Sequence, residues 1–157
     1  MESKILFEEQ QSFWKNKRLI FVMVMVLLAV FISVLITFQL QEKPSLVYLS
    51  ILLLTLYLSL EKLTSVVTLE SIKFGFKYLP FARNEFDWEE VEKIQMIEHD
   101  SWGWGVRFSR TLGFIYNTVG NKGLLITLKT GKKYMLGTQK SEELKKALDT
   151  IFPAFVS

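Results

Sequence analysis

From Leu19 to Leu40 the chain reads LIFVMVMVLLAVFISVLITFQL, without a charged side chain and with only Ser33, Thr37 and Gln39 as polar breaks. At ~1.5 Å per residue a helix of that length measures about 33 Å, enough to cross a hydrocarbon layer of ~30 Å. The alternative is a buried core helix. A domain that fits in the rest of a 157-residue chain could hardly cover such a helix on every side, so a transmembrane helix is predicted. A second apolar run, LVYLSILLLTLYLSL from Leu46 to Leu60, is about 22 Å as a bare helix. Pro44 suits the first turn of a helix, and Glu61 and Lys62 can reach toward headgroups at the other end. Two antiparallel spans at about 19–40 and 44–62, joined by a short external turn, are therefore expected.

Basic residues set the orientation. Lys4, Lys15, Lys17 and Arg18 precede the first run, Lys43 alone lies between the two, and Lys62, Lys73 and Lys77 follow. The positive-inside rule then predicts a multi-pass protein of the cell (inner) membrane with both termini in the cytoplasm. The run is longer than the apolar part of a signal peptide, and TFQLQEKPS has no small-x-small cleavage pattern. Residues 1–18 form a cytoplasmic amphipathic lead-in, 19–62 the helix pair, and 63–157 a cytoplasmic domain on this reading. The chain contains no cysteine, which excludes disulfides and thiolate chemistry. Its formal charge of +3 is too small and too dispersed for a nucleic-acid footprint.

Past Thr64 the periodicity becomes two. In SIKFGFKY, Ile72, Phe74, Phe76 and Tyr78 alternate with Ser71, Lys73, Gly75 and Lys77, as in a half-buried strand. FARNEFDW reads as a returning edge strand, and WEEVEKIQMIE as a helical turn leading into another strand. In DSWGWGVRFS, Trp102, Trp104, Val106 and Phe108 share one face, expected to pack inward; Gly103, Gly105, Arg107 and Ser109 share the other. GNKG, Gly120 to Gly123, predicts a hairpin between LGFIYNTV and LLITLKT, and TGKK a further turn. SEELKKALDTIF, with Ser141 as N-cap and Leu144, Leu148, Ile151 and Phe152 as its apolar stripe, predicts a final helix that Pro153 stops. Six or seven antiparallel strands followed by that helix describe a small β-barrel or sandwich closed by a C-terminal helix, the architecture of a pleckstrin-homology-like (PH-like) domain.

The motifs WGWGVR and YNTVGNKGLLITLKTGKKYMLGTQKSEELKKAL resemble those of bacterial membrane proteins that carry two spans and a bacterial PH-like domain. Matching positions are Gly103 to Arg107, Tyr116, Asn117, Gly120, Asn121, Gly123, Gly131, Lys132, Gly137, Thr138 and Gln139. Ser101-Trp102, Leu136 and Ser141 depart from the family pattern. The resemblance implies a membrane-anchored PH-like fold that binds, scaffolds or assembles, and it implies no reaction.

The residues themselves point away from catalysis. His99 is the single histidine, and in EHD the alternation of a strand turns Glu98 and Asp100 to the face opposite it, too few ligands for a metal. GNKG lacks the surroundings of a phosphate loop. No catalytic residue, cofactor or small-molecule substrate is expected. Arg107 is the first binding candidate, since a guanidinium beside a flat glycine flank can pair bidentately with a carboxylate or phosphate. An internal ion pair with Glu85, Asp87, Glu89, Glu90 or Glu92, or a stacked tryptophan, is its plain structural use. Trp102 and Trp104 would suit the headgroup layer if exposed. Lys73, Lys77 and Arg83 surround the first hairpin and would face anionic lipid. The expected function is a non-enzymatic membrane-anchored module docking a protein, a membrane subunit or a second copy at the cytoplasmic face; the alternative is sensing of anionic lipid headgroups.

Overall fold

The computed structural model describes residues 4–39, 46–99 and 104–152. The chain divides into two compact units: Met1–Ser12 with Lys62–Ser157, and Phe13–Glu61.

The second unit contains helices α1 (Lys17–Gln39) and α2 (Leu46–Leu60). Asn16 caps α1, its Oδ1 accepting from the backbone N–H groups of Arg18 and Leu19 at 3.1 and 3.2 Å. Polar side chains inside the helices are satisfied within them: Ser33 donates to the Ala29 carbonyl, Ser50 to Leu46 and Thr55 to Ile51. Among the described residues α1 is the one helix long and apolar enough to cross a membrane, and almost none of it is buried. Phe21 is 64% exposed, Phe31 61% and Phe38 81%. Leaving such a surface in water costs on the order of 10–20 kcal/mol, as much as an entire domain's net stability. The second helix stops at Leu60 because Lys62 already begins a strand, so the expected extension to residue 62 does not occur.

The first unit holds nine strands among the described residues. Strands β1 (Ile5–Ser12), β2 (Lys62–Thr68), β3 (Ser71–Phe76) and β4 (Arg83–Asp87) form an antiparallel sheet in that order. The domain boundary expected at residue 63 is thereby corrected: residues 5–12 are not a separate lead-in but an edge strand of the head. Ser12 is the register partner of Lys62, so the whole helical unit is an insertion in the connection between two paired strands. The buried face of β1 reads Phe7, Glu9, Gln11. Its polar members are held from across the head. Glu9 Oε2 accepts from Thr138 Oγ1 at 2.7 Å, and Oε1 from the Gln139 N–H at 2.9 Å. Gln11 donates to the Gly137 carbonyl at 2.7 Å and accepts from Thr118 Oγ1.

The other sheet contains β5 (Val91–Glu98), β6 (Gly105–Ser109), β7 (Gly113–Asn117), β8 (Lys122–Leu128) and β9 (Lys133–Gly137), ordered β5-β8-β9-β7-β6. The barrel half of the fold expectation is corrected here, for the strands make two separate sheets with free edges. The hairpin expected at Gly120 to Gly123 is also absent. β9 lies between β7 and β8, paired parallel to β7 and antiparallel to β8. Glycines admit it: a Cβ on Gly137 would come within 2.2 Å of Asn117 Oδ1, and one on Gly123 within 2.8 Å of the Leu136 carbonyl oxygen. The peptide 118–121 is tied elsewhere, with the Asn121 carbonyl accepting from the His99 N–H at 2.7 Å.

The two sheets meet at the rings of Phe74 and Tyr116, 5.2 Å apart, within a core of Leu63, Ile72, Phe76, Ile94, Leu124, Ile126 and Leu136. Helix α3 (Ser141–Ile151) adds Leu144 and Leu148, both fully buried. Its N-cap is Lys140 rather than Ser141, and Thr138 Oγ1 accepts the Lys140 N–H at 3.0 Å. Trp88 packs edge-on against Phe152 at 5.2 Å and donates from its indole to the Thr68 carbonyl.

Candidate functional site: an open aromatic edge beside two basic turns

Strand β6 pairs through Val106↔Tyr116, Arg107↔Ile115 and Phe108↔Phe114. Pleating therefore puts Val106 and Phe108 on the same sheet face as the core residues Tyr116 and Leu136, with Trp104 just before the strand. They do not pack inward as expected. β6 is the last strand of its sheet, and Trp104 stays 38% exposed, Val106 40% and Phe108 69%. The aromatic contacts run without a break from core to edge. Phe74 meets Phe86 and Tyr134, Tyr134 stacks with Phe114 at 5.8 Å, and Phe114 meets Phe108 at 5.3 Å.

Two turns flank this edge. In the β6–β7 turn, Ser109 Oγ accepts from the N–H groups of Thr111 and Leu112. In the β8–β9 turn the Gly131 N–H donates to Leu128, and the Leu128 N–H to the Lys132 carbonyl, at 2.8 and 2.9 Å. The parallel pairing of β7 and β9 sets the two turns side by side. Gly113 makes that approach possible, since a Cβ there would stand 2.0 Å from the Lys133 carbonyl oxygen. Between the turns lies an open cup of about 280 Å³ lined by Phe108, Ser109, Arg110, Gly113, Phe114, Gly131, Lys132 and Lys133. Three cations and two phenyl rings line it, and no acidic side chain does.

The residues singled out in the sequence are dispersed. Arg107 lies on the opposite face of β6, beside Ile115, with its Nε and one terminal nitrogen buried. It is not part of the cup. Trp102 falls outside the described residues, as does Asp100. Lys73 pairs with Glu85 across β3 and β4 at 2.7 Å, both ends half exposed. Lys77 sits over the Tyr78 ring, 5.2 Å from its centroid. Arg83 donates to the Phe76 and Lys77 carbonyls, tying the ends of its own hairpin together. Lys73 and Arg83 belong to the other sheet and Lys77 directly follows its strand β3; all three are engaged in local structure. Glu98 pairs with Lys122 at 3.6 Å, and His99 is buried. Among the described residues no group of three or more His, Asp or Glu side chains could hold a metal ion.

Sequence reading missed Arg110, Lys133 and the ring pair Phe108–Phe114 as a site. TGKK was legible only as a turn, because its neighbour across the sheet is set by a parallel pairing that has no local signature. Compared with protein-family models, curated proteins and solved structures, the chain matches none of them.

Proposed function

We propose that this chain is a membrane-anchored, non-enzymatic interaction module whose head, a PH-like sandwich, engages the anionic surface of the membrane that holds it. The observation that carries this reading is the exposed row Trp104, Val106, Phe108 and Phe114 beside Arg110, Lys132 and Lys133. Indole and phenyl groups favour the layer between headgroups and hydrocarbon, and each basic residue near an anionic leaflet adds about 1 kcal/mol. In this reading α1 and α2 both span, the shorter α2 by local thinning of the bilayer, and both termini are cytoplasmic. The pairing of Ser12 with Lys62 supports this topology, since the insertion leaves and rejoins the head at one strand end. Confinement by the insertion raises the local concentration of lipid, so a weak surface suffices.

The test uses the full chain in lipid nanodiscs. Because it has no cysteine, Thr111→Cys or Lys145→Cys each provides a single site for a fluorophore. With headgroup-spin-labelled lipid, the dye at 111 should be quenched more than the dye at 145. The difference should grow with anionic lipid, shrink with salt, and fall when Trp104 and Phe108 are changed to serine. Equal quenching at both sites in every lipid would refute the membrane-surface reading. A protein co-purifying through this same edge would then take its place.

A further inference from the structure

The cup between the β6–β7 and β8–β9 turns has a chemistry more specific than that of a generally basic surface. We infer that it is a binding site for the phosphate of one anionic phospholipid, with the glycerol end of that lipid lying across Phe108 and Phe114. The inference rests on the membrane-surface reading and names the ligand for the same edge.

Both turns are closed by their own hydrogen bonds, so Arg110, Lys132 and Lys133 are presented from preformed backbone. Among the described residues none of the three takes part in an ion pair, in contrast to Lys73, Lys122 and Lys140, which each have a carboxylate partner. All three cations are exposed, so a ligand need not displace a buried group to reach them. A planar guanidinium with two ammonium groups suits a tetrahedral oxyanion, the arginine bidentately and the lysines as point charges. A free phosphate would use the cations alone. The adjoining rings, Phe108 at 69% and Phe114 at 42% exposure, offer apolar surface that the acyl-glycerol region of a lipid would cover and inorganic phosphate would not. This combination favours a lipid over a soluble phosphate ester. An acidic peptide could use the charge, but it has no acyl-glycerol region for the rings.

The experiment is calorimetric titration of the full chain in nanodiscs made only of phosphatidylcholine. The probes are dioctanoyl phosphatidic acid, dioctanoyl phosphatidylcholine and inorganic phosphate. Saturable binding of dioctanoyl phosphatidic acid near one per chain is expected, with inorganic phosphate at least tenfold weaker and the zwitterionic lipid weaker still. Arg110→Gln, Lys132→Gln and Lys133→Gln should each weaken it about fivefold, the worth of one interfacial cation. Lys145→Gln, on the exposed face of α3, should leave it unchanged. Phe108→Ser should weaken the lipid but not inorganic phosphate. Equal affinity for lipid and inorganic phosphate would overturn the lipid assignment, and non-saturable binding, or equal sensitivity to Lys145→Gln, would overturn the site itself. Quenching at position 111 that persists in either case would leave the broader membrane-surface reading standing.

Discussion

At Gly113 the backbone φ is +71°, and an added Cβ would lie 2.0 Å from the Lys133 carbonyl oxygen; at Gly131 φ is +80°, but the space is open. The two positions therefore separate backbone strain from steric exclusion. Gly131→Ala should cost roughly 1–2 kcal/mol, the left-handed penalty of an L-residue. Gly113→Ala adds an overpacked backbone contact, and a total of roughly 2–5 kcal/mol is expected. Amide exchange in β7 and β9 of the detergent-embedded chain checks this, with protection lost much further in Gly113→Ala than in Gly131→Ala. If the two lost protection alike, the close approach of β9 to β7 would be wrong. The tryptophans carry a related lesson. Alternation assigned Val106 and Phe108 to one face, as the register of β6 has them, while Trp104 precedes the strand and Trp102 lies outside the described residues; whether that face is covered depends on strand order, and β6 is an edge.

Strand β1 was the element least visible in the sequence. Its buried positions are Phe7, Glu9 and Gln11, and two of those three are polar, so no apolar alternation announces a strand. What pays for burying Glu9 and Gln11 is four hydrogen bonds to residues 118 and 137–139, more than a hundred positions away. A head that begins at Thr64 would lack this strand and leave the partners of Glu9 and Gln11 empty. The chain 64–157 is expected to remain unfolded. Joining Ser12 directly to Lys62 through a two-residue Asn-Gly turn should instead yield a folded, water-soluble head, because those residues are already opposite each other. Dispersed amide resonances for the joined chain, against collapsed ones for 64–157, are the measurement. Well-dispersed spectra from 64–157 would show that β1 is dispensable.

For the whole molecule the decisive quantity is the apolar surface of α1. By length, composition and exposure α1 is a candidate membrane span, and a bilayer or a second apolar surface is the natural cover for it. On the proposed topology, the full chain should stay with the membrane pellet through high-salt and carbonate washes. Protease added outside intact cells should leave the head whole, and the same protease should digest it in inverted vesicles. Digestion of the head in intact cells would reverse the orientation.

Charge-free length by itself determined the apolar helix, because a segment from Leu19 to Leu40 without an ionised group has few other places to go. Period-two alternation determined β3, and period 3.6 determined α3, whose stripe of Leu144 and Leu148 is buried as expected. Those signals are local: each side chain's environment repeats with the geometry of its own element. Only the tertiary structure decided that β9 runs between β7 and β8, that β1 completes the head, and that Arg110, Lys132 and Lys133 share one cup. Each of these depends on which backbone reaches an unpaired strand edge first, and on where glycine leaves room for it to pass. A strand edge offers the same N–H and C=O groups to every candidate neighbour, so its partner is chosen by the packing of the whole.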